Sequence, residues 1–148
     1  MSTSFKQVYT IGHSDRAIEK FLELLKAYGV TLVVDVRRFP SSRRAPWFNR
    51  SALEKYLNTI GVEYAWLGES LGGYRSGGYR EYMKTRSYEE GVEELIELIN
   101  ECKGSIAIMC SEKQWFKCHR RFISSTICLK GIRVLHIIDE GVLYEHKC

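Results

Sequence analysis

Ile106-Ala107-Ile108-Met109-Cys110-Ser111-Glu112-Lys113-Gln114-Trp115-Phe116-Lys117-Cys118-His119-Arg120-Arg121 is the stretch on which the reading of the chain turns. The apolar run Ile106 to Met109 is too short for a helix, which predicts a buried strand. It runs directly into Cys110 and Glu112, then into a basic and aromatic loop. Cys118-His119 opens a predicted helix to about Lys130, with Ile123 and Ile127 inward and Gly131 as its stop. Strand, loop with reactive side chains, then helix is the unit of an α/β protein.

The same grammar recurs on either side. Val8 to Ile11 predicts strand 1, followed by a helix capped at Ser14 or Asp15, with Ile18, Phe21, Leu22 and Leu25 on one stripe and Gly29 at its end. Thr31 to Val36 is β-branched and nearly all apolar, as a strand buried on both faces is. Ser51 with Glu54 and Ser87 with Glu90 read as capping boxes. Behind them run the stripes Leu53, Tyr56, Leu57, Ile60 and Val92, Leu95, Ile96, Ile99, closed by Gly61 and Gly104. Val62 to Leu67 and Val134 to Ile138 complete five strands, and Gly141 to Tyr144 offers a short edge strand. Alternating strands and helices predict a single α/β domain: a largely parallel five-stranded sheet, helices on both faces, and long basic loops at the carboxyl ends of the strands. No repeat, linker or second domain is legible in the 148 residues.

Hydrophobic content of 45% and charged content of 27% are those of an ordinary globule. Met1 to Gln7 has no apolar leader, and no run approaches the roughly 18 apolar residues of a membrane span. The expectation is a cytoplasmic protein with no membrane partner. Five cysteines, an odd number, then predict reduced thiols rather than a disulfide framework. The net charge of +4 is unevenly placed. Residues 37–50 carry Arg37, Arg38, Arg43, Arg44 and Arg50 without an acid, and residues 113–121 carry Lys113, Lys117, Arg120 and Arg121. Two such loops suggest a phosphate-bearing small molecule or a nucleic acid as partner.

Open parallel sheets bind ligands beyond the carboxyl ends of their strands. The predicted strands lead in turn into Gly12-His13-Ser14, Asp35 and Arg37, Gly68 with Gly72-Gly73, Cys110 and Glu112, and Asp139. The candidate catalytic residues are accordingly Asp35, Cys110, Glu112 and His119. The candidate substrate-binding residues are His13, Ser14, Arg37, Arg43, Gly72, Gly73, Arg75, Cys118 and Arg120.

Each has a plain alternative. Asp35 and Arg37 share a strand face and form either a base with an anion-holding arginine or a structural ion pair. Cys110 is either an activated thiol or a small buried hydrophobe, with His119 and Arg120 then capping carbonyls. Gly72-Gly73 is either a phosphate cradle or a tight turn. Trp47 and Phe48 either stack on a base or plug their loop onto the core, and Tyr74, Tyr79 and Tyr82 pack theirs. Thiolate, imidazole and carboxylate together are also compatible with a zinc or iron site, but Cys110 and Cys118 are eight apart, which is not a knuckle spacing, so no metal ligands are assigned and the cofactor is left open. His136 reads as a satisfied core residue, Cys102 and Cys128 as structural, and His146 with Cys148 as a frayed end.

Four blocks carry a resemblance. Thr10-Ile11-Gly12-His13-Ser14, Asp35-Val36-Arg37 with Pro40-Ser41-Ser42-Arg43, Leu71-Gly72-Gly73 with Arg75, and Met109-Cys110-Ser111-Glu112 leading to Cys118-His119-Arg120 resemble the family catalogued as domain of unknown function 488. The resemblance implies a small bacterial or archaeal cytosolic α/β protein. It implies no particular reaction, beyond a loose link to nucleic-acid repair or modification. Asp-Val-Arg after one strand and a cysteine after another is also similar to the rhodanese fold, which implies sulfur transfer at Cys110. The loop here is longer than a rhodanese cradle and places Glu112 two residues past the thiol. Three functions are compatible with these features: an enzyme on a phosphate-bearing substrate, a sulfur-transfer or thiol-redox protein using Cys110, and a nucleic-acid-binding module without catalysis.

Overall fold

The computed structural model describes residues 6–148. Met1 to Phe5, most of the stretch read as lacking a leader, lie outside the described residues. The strands are β1 Gln7–Gly12, β2 Val30–Asp35, β3 Glu63–Trp66, β4 Ser105–Cys110, β5 Arg133–Asp139 and β6 Val142–Glu145. They form one sheet in the order β3-β2-β4-β1-β5-β6. The first five are mutually parallel and β6 is antiparallel to β5. The helices are α1 Ile18–Ala27, α2 Arg50–Asn58, the single turns α3 Gly68–Leu71 and α4 Tyr79–Tyr82, then α5 Arg86–Glu101 and α6 Arg120–Leu129.

The handedness of crossovers explains which helix covers which face. From β1 to β2 to β3 the chain moves one way across the sheet, and from β3 to β4 to β5 it moves back. Right-handed crossovers then place the outbound helices on one face and the returning helices on the other. The two cores obey this. Phe21, Leu24 and Leu25 of α1 and Leu53 and Leu57 of α2 pack on Ile11, Val33 and Met109. Val92, Leu95 and Ile99 of α5 and Ile123 and Ile127 of α6 pack on Val8, Val34 and Ile108. Burying each such Leu, Ile or Phe contributes about 1.5–3 kcal/mol. The connections leaving β4 and its neighbours β1 and β2 diverge to opposite faces, so a crevice opens at their carboxyl ends.

The short edge strand offered by Gly141 to Tyr144 is present as β6, in a hairpin that Gly141 permits through its positive φ of 74°. Several expectations of the helix ends are corrected. Neither Ser14 nor Asp15 caps α1, which starts after Ala17. Ser51 lies inside α2, whose N-cap is Asn49, and the Asn49 side chain instead accepts a bond from the Ser42 amide. Thr85, not Ser87, caps α5, accepting from the Tyr88 amide. Tyr56 points out of its stripe. Gly104 ends no helix in the left-handed conformation; it is pressed against Thr31, where a Cβ would meet the hydroxyl at 2.3 Å.

The thiols differ most from expectation. Cys128 and Cys148 are joined in a disulfide, leaving Cys102, Cys110 and Cys118 free. His146, expected in a frayed end, is buried. Counting cysteines could not reveal that the segment after β6 returns across the last turn of α6. No helix of the described residues is long and apolar enough to cross a membrane.

Candidate functional site

The end of β2 holds a closed polar cluster. Asp35 is fully buried, and both its oxygens are occupied. Oδ1 accepts from the Arg37 amide at 3.0 Å and from Arg37 Nε at 2.9 Å, while Oδ2 accepts from Arg37 Nη2 at 2.7 Å and from the Tyr64 hydroxyl at 2.6 Å. Burial, and then the Asp35 carboxylate, push the Tyr64 phenol up, so it stays a donor. Arg37 Nη1 reaches His13 Nε2 at 3.2 Å, and His13 Nδ1 lies 2.8 Å from the Ser14 carbonyl. A guanidinium can only donate, so Nε2 accepts and Nδ1 carries the proton. Burial, with Arg37 next, lowers the His13 pKa to about 4, which fits a neutral ring. The ring also stacks on Phe48 at 4.4 Å.

The end of β4, the neighbouring strand, holds the thiols. Cys110 is 1% exposed, and its sulfur lies 2.8 Å from that of Cys118. Cys118 stands two residues before α6, and its sulfur accepts from the Arg120 amide at 3.2 Å. A helix start favours negative charge. His119 Nε2 donates to the Val36 carbonyl at 2.9 Å, which turns Nδ1 toward the Cys118 sulfur at 3.8 Å. The hydrogen bond from Cys110 pulls the Cys118 thiol well below its ordinary range, and His119 and Arg120 add to this against the opposing effect of burial. Burial, then the bond to Cys118, push Cys110 up. The arrangement favours ionisation at Cys118, with Cys110 as the thiol donating to it.

Arg120 is as buried as any leucine. Its Nη2 donates to the carbonyls of Glu112 at 3.0 Å and Lys113 at 3.3 Å, and Nη1 to Thr10 Oγ1 at 3.3 Å. It holds the loop after β4 rather than facing solvent. Gly12 serves the same loop by having no side chain, because a Cβ there would lie 1.8 Å from the Glu112 carbonyl. Gly72 and Gly73 admit close packing. A Cβ on Gly72 would meet the Gly68 carbonyl at 2.3 Å, and one on Gly73 would press on His119 Nδ1 at 3.1 Å. Arg75 caps α3, with Nε on the Gly72 carbonyl at 2.9 Å and its guanidinium over the Tyr82 ring.

A cleft of about 660 Å³ opens above these groups. Arg37, Gly73, Cys110, Glu112, Cys118 and His119 line it together, so candidates from β2, the glycine loop, β4 and α6 converge. Asp35 and His13 stand behind Arg37, in the wall. Ser14, Arg43 and Arg75 do not line the cleft, and Gly72 supports it from outside. The Glu112 carboxylate accepts from the Gln114 amide at 3.2 Å at the exposed lip.

The mouth carries residues that the motifs did not single out: Arg38, Lys117 and Arg121 among Phe39, Tyr74 and Phe116. Their signal was the basic and aromatic character of the loops as wholes. Tyr74 is 83% exposed and Phe39 62%, with ring centroids 6.0 Å apart and Arg38 over Phe39. Tyr74, expected to pack its loop, instead stands out from it in a left-handed conformation with φ 60°. Tyr79 and Tyr82 do pack, donating to the Leu71 and Ser70 carbonyls. Phe48 plugs the basic loop onto the core, and Trp47 donates to the Arg16 carbonyl. Among the described residues no group of three or more His, Cys, Asp or Glu side chains is placed to hold a metal ion.

The model of a family described as domain of unknown function DUF488 matches residues 17–127. The chain belongs to this family. The matched region takes in Asp35, Arg37, Cys110, Cys118 and His119, and ends within α6. No curated protein matches the chain.

Proposed function

We propose that this DUF488 protein is an enzyme that uses Cys118 as a thiolate nucleophile on a phosphate-bearing substrate. The observation that carries the reading is the pair of sulfurs 2.8 Å apart on the floor of a cleft with a cationic mouth. Arg38, Lys117 and Arg121 hold the phosphate, and Phe39 and Tyr74 offer faces to a base, which makes a nucleotide the form of phosphate ester the mouth suits. Arg37 and Arg120, engaged within the protein, act as braces. His119 Nδ1 takes the proton when Cys118 ionises.

Where the attacked atom is a disulfide sulfur, the steps balance. Cys118 bonds to one sulfur and the other leaves as a thiolate. Cys110 then attacks the Cys118 sulfur, and its proton goes with the departing substrate thiol. The protein is left with a Cys110–Cys118 disulfide and the substrate has gained two electrons; an external dithiol resets the pair.

The test is peptide-resolved alkylation by iodoacetamide at pH 6. Cys118 is expected to react well ahead of Cys102, and inorganic phosphate or a nucleoside monophosphate is expected to slow it. Equal slow labelling of both cysteines would remove the thiolate. A non-catalytic nucleic-acid binder is the second reading, favoured by the exposed aromatic and cationic mouth. It predicts binding of a single strand that Cys118→Ser leaves intact, with a log–log salt slope near −0.7 per phosphate contacted.

A further inference from the structure

The opposite side of the Cys118 loop rests on His136, Tyr144 and His146, outside the matched family region. Five groups, Arg120 and Ser125 of the matched region among them, form one hydrogen-bonded chain behind it. Arg120 Nη1 lies 3.3 Å from Thr10 Oγ1, which lies 2.6 Å from His136 Nδ1. His136 Nε2 lies 2.9 Å from His146 Nδ1, and His146 Nε2 lies 2.9 Å from Ser125 Oγ. Its direction is set by its first member. Arg120 can only donate, so Thr10 Oγ1 accepts from it, and the buried Thr10 hydroxyl spends its own proton on His136 Nδ1, the acceptor in its reach. His136 then gives its Nε2 proton to His146, and His146 gives its own to Ser125. Both rings are neutral, in keeping with the burial that lowers each pKa.

Trp115, in the 3-10 turn Trp115–Lys117 directly before Cys118, lies flat on His136 with centroids 4.4 Å apart and planes 1° apart. It also stacks on Tyr144 and meets His146 edge-on. The turn that presents Cys118 is thus seated on His136, Tyr144 and His146. His146 is held from both sides, by its amide donating to the Val134 carbonyl at 2.8 Å and, two residues on, by the Cys128–Cys148 disulfide. Helix α6 therefore carries one cysteine pair at each end: free sulfurs before its first turn and a closed staple at its last.

We propose that segment 146–148 is a positioning element for Cys118, and that the Cys128–Cys148 staple makes this positioning redox-dependent. With the staple closed, His146 accepts from His136 and walls in Trp115, and the turn holds the Cys118 sulfur against the Arg120 amide and Cys110. A dithiol reductant donates two electrons and two protons to the staple, becoming a disulfide itself, and frees Cys148. His146 then leaves, His136 Nε2 loses its acceptor, and Trp115 loses one wall of its seat. Cys118 becomes a weaker nucleophile. The inference rests on the thiolate reading above.

The test is the pH profile of Cys118 alkylation by iodoacetamide, scored by peptide mapping on molecules whose staple is intact. The comparison is the Cys128→Ser/Cys148→Ser double variant, with far-UV circular dichroism to establish that it is folded. The expected result is a midpoint about one unit higher in the variant, hence labelling about tenfold slower well below it. His146→Ala with the staple closed is expected to do the same, which separates the histidine from the disulfide. Equal midpoints and rates in all three proteins overturn the inference and leave the thiolate reading standing. Cys118 unreactive at pH 6 in every form overturns both. Free alkylation of Cys128 and Cys148 in the isolated protein overturns the staple itself.

Discussion

The rims of β2 and β4 are adjacent and both rich in ionisable groups, yet they are built in opposite ways. At β2 every strong donor and acceptor has a partner: Asp35 takes four bonds, and Arg37 reaches both the carboxylate and His13. At β4, among the described residues, the Cys118 sulfur has only sulfur, one backbone amide and a long contact to His119. Saturated polar clusters brace a fold, because breaking one leaves a buried group unpaired. An under-partnered anion at a helix start is available for reaction. The difference separates a braced rim from the one on which the proposed chemistry rests.

The largest effect expected from this contrast is on stability. Asp35→Ala leaves Arg37 buried without its carboxylate and is expected to lower the unfolding free energy by about 3–5 kcal/mol. Urea denaturation at pH 7 measures it, and a loss below about 1 kcal/mol would mean that the β2 cluster is not a brace.

Acid is expected to act on the same cluster. The folded-state pKa of His13, about 4, lies below the ordinary histidine value of 6.5, so the native state binds fewer protons than the unfolded chain. The stability His13 contributes is full above 6.5 and is lost as pH falls toward 4, on the order of 3 kcal/mol. His136 acts with the same sign. Denaturation curves at pH 7 and pH 4.5 should differ accordingly, and His13→Gln should flatten part of the difference.

A smaller stability effect is expected at β4. Cys118→Ser should change the unfolding free energy by no more than about 1 kcal/mol while abolishing rapid alkylation at pH 6. A large stability loss would put both rims in one class. The smallest effect lies at the exposed ion pair of Arg133 with Glu145, 2.9 Å apart, where Glu145→Gln should leave the urea midpoint nearly unchanged, and more nearly so in high salt.

The candidate site was legible in part. Asp35, Cys110 and Glu112 lie at or just past predicted strand ends, and parallel strands bring such positions to one edge. Gly12-His13 and Asp35-Val36-Arg37 could be placed there for the same reason. Which cysteine is the better candidate for a thiolate could not be read. Cys110 ends the strand and drew attention, but the burial that the strand imposes pushes its thiol up and leaves it the donor of the pair. Cys118 gains its environment from His119, whose ring is oriented by the Val36 carbonyl 83 residues away. Arg37, Arg75 and Arg120 read as anion holders because a guanidinium in a loop has no visible partner. Their partners are a carboxylate, a ring nitrogen, a hydroxyl and backbone carbonyls, most of them contributed by other elements.

Apolar periodicity and glycine stops determined the elements and the α/β class without coordinates, since burial on one stripe or both faces is a local property of the chain. Gly29, Gly61 and Gly131, each at positive φ, end helices as their positions implied. Strand order, the Cys128–Cys148 staple and the direction of the Arg120–Thr10–His136–His146 chain were decided only by the tertiary structure. Each joins residues distant in sequence, and a hydrogen bond or disulfide between distant residues leaves no pattern in the spacing of either partner.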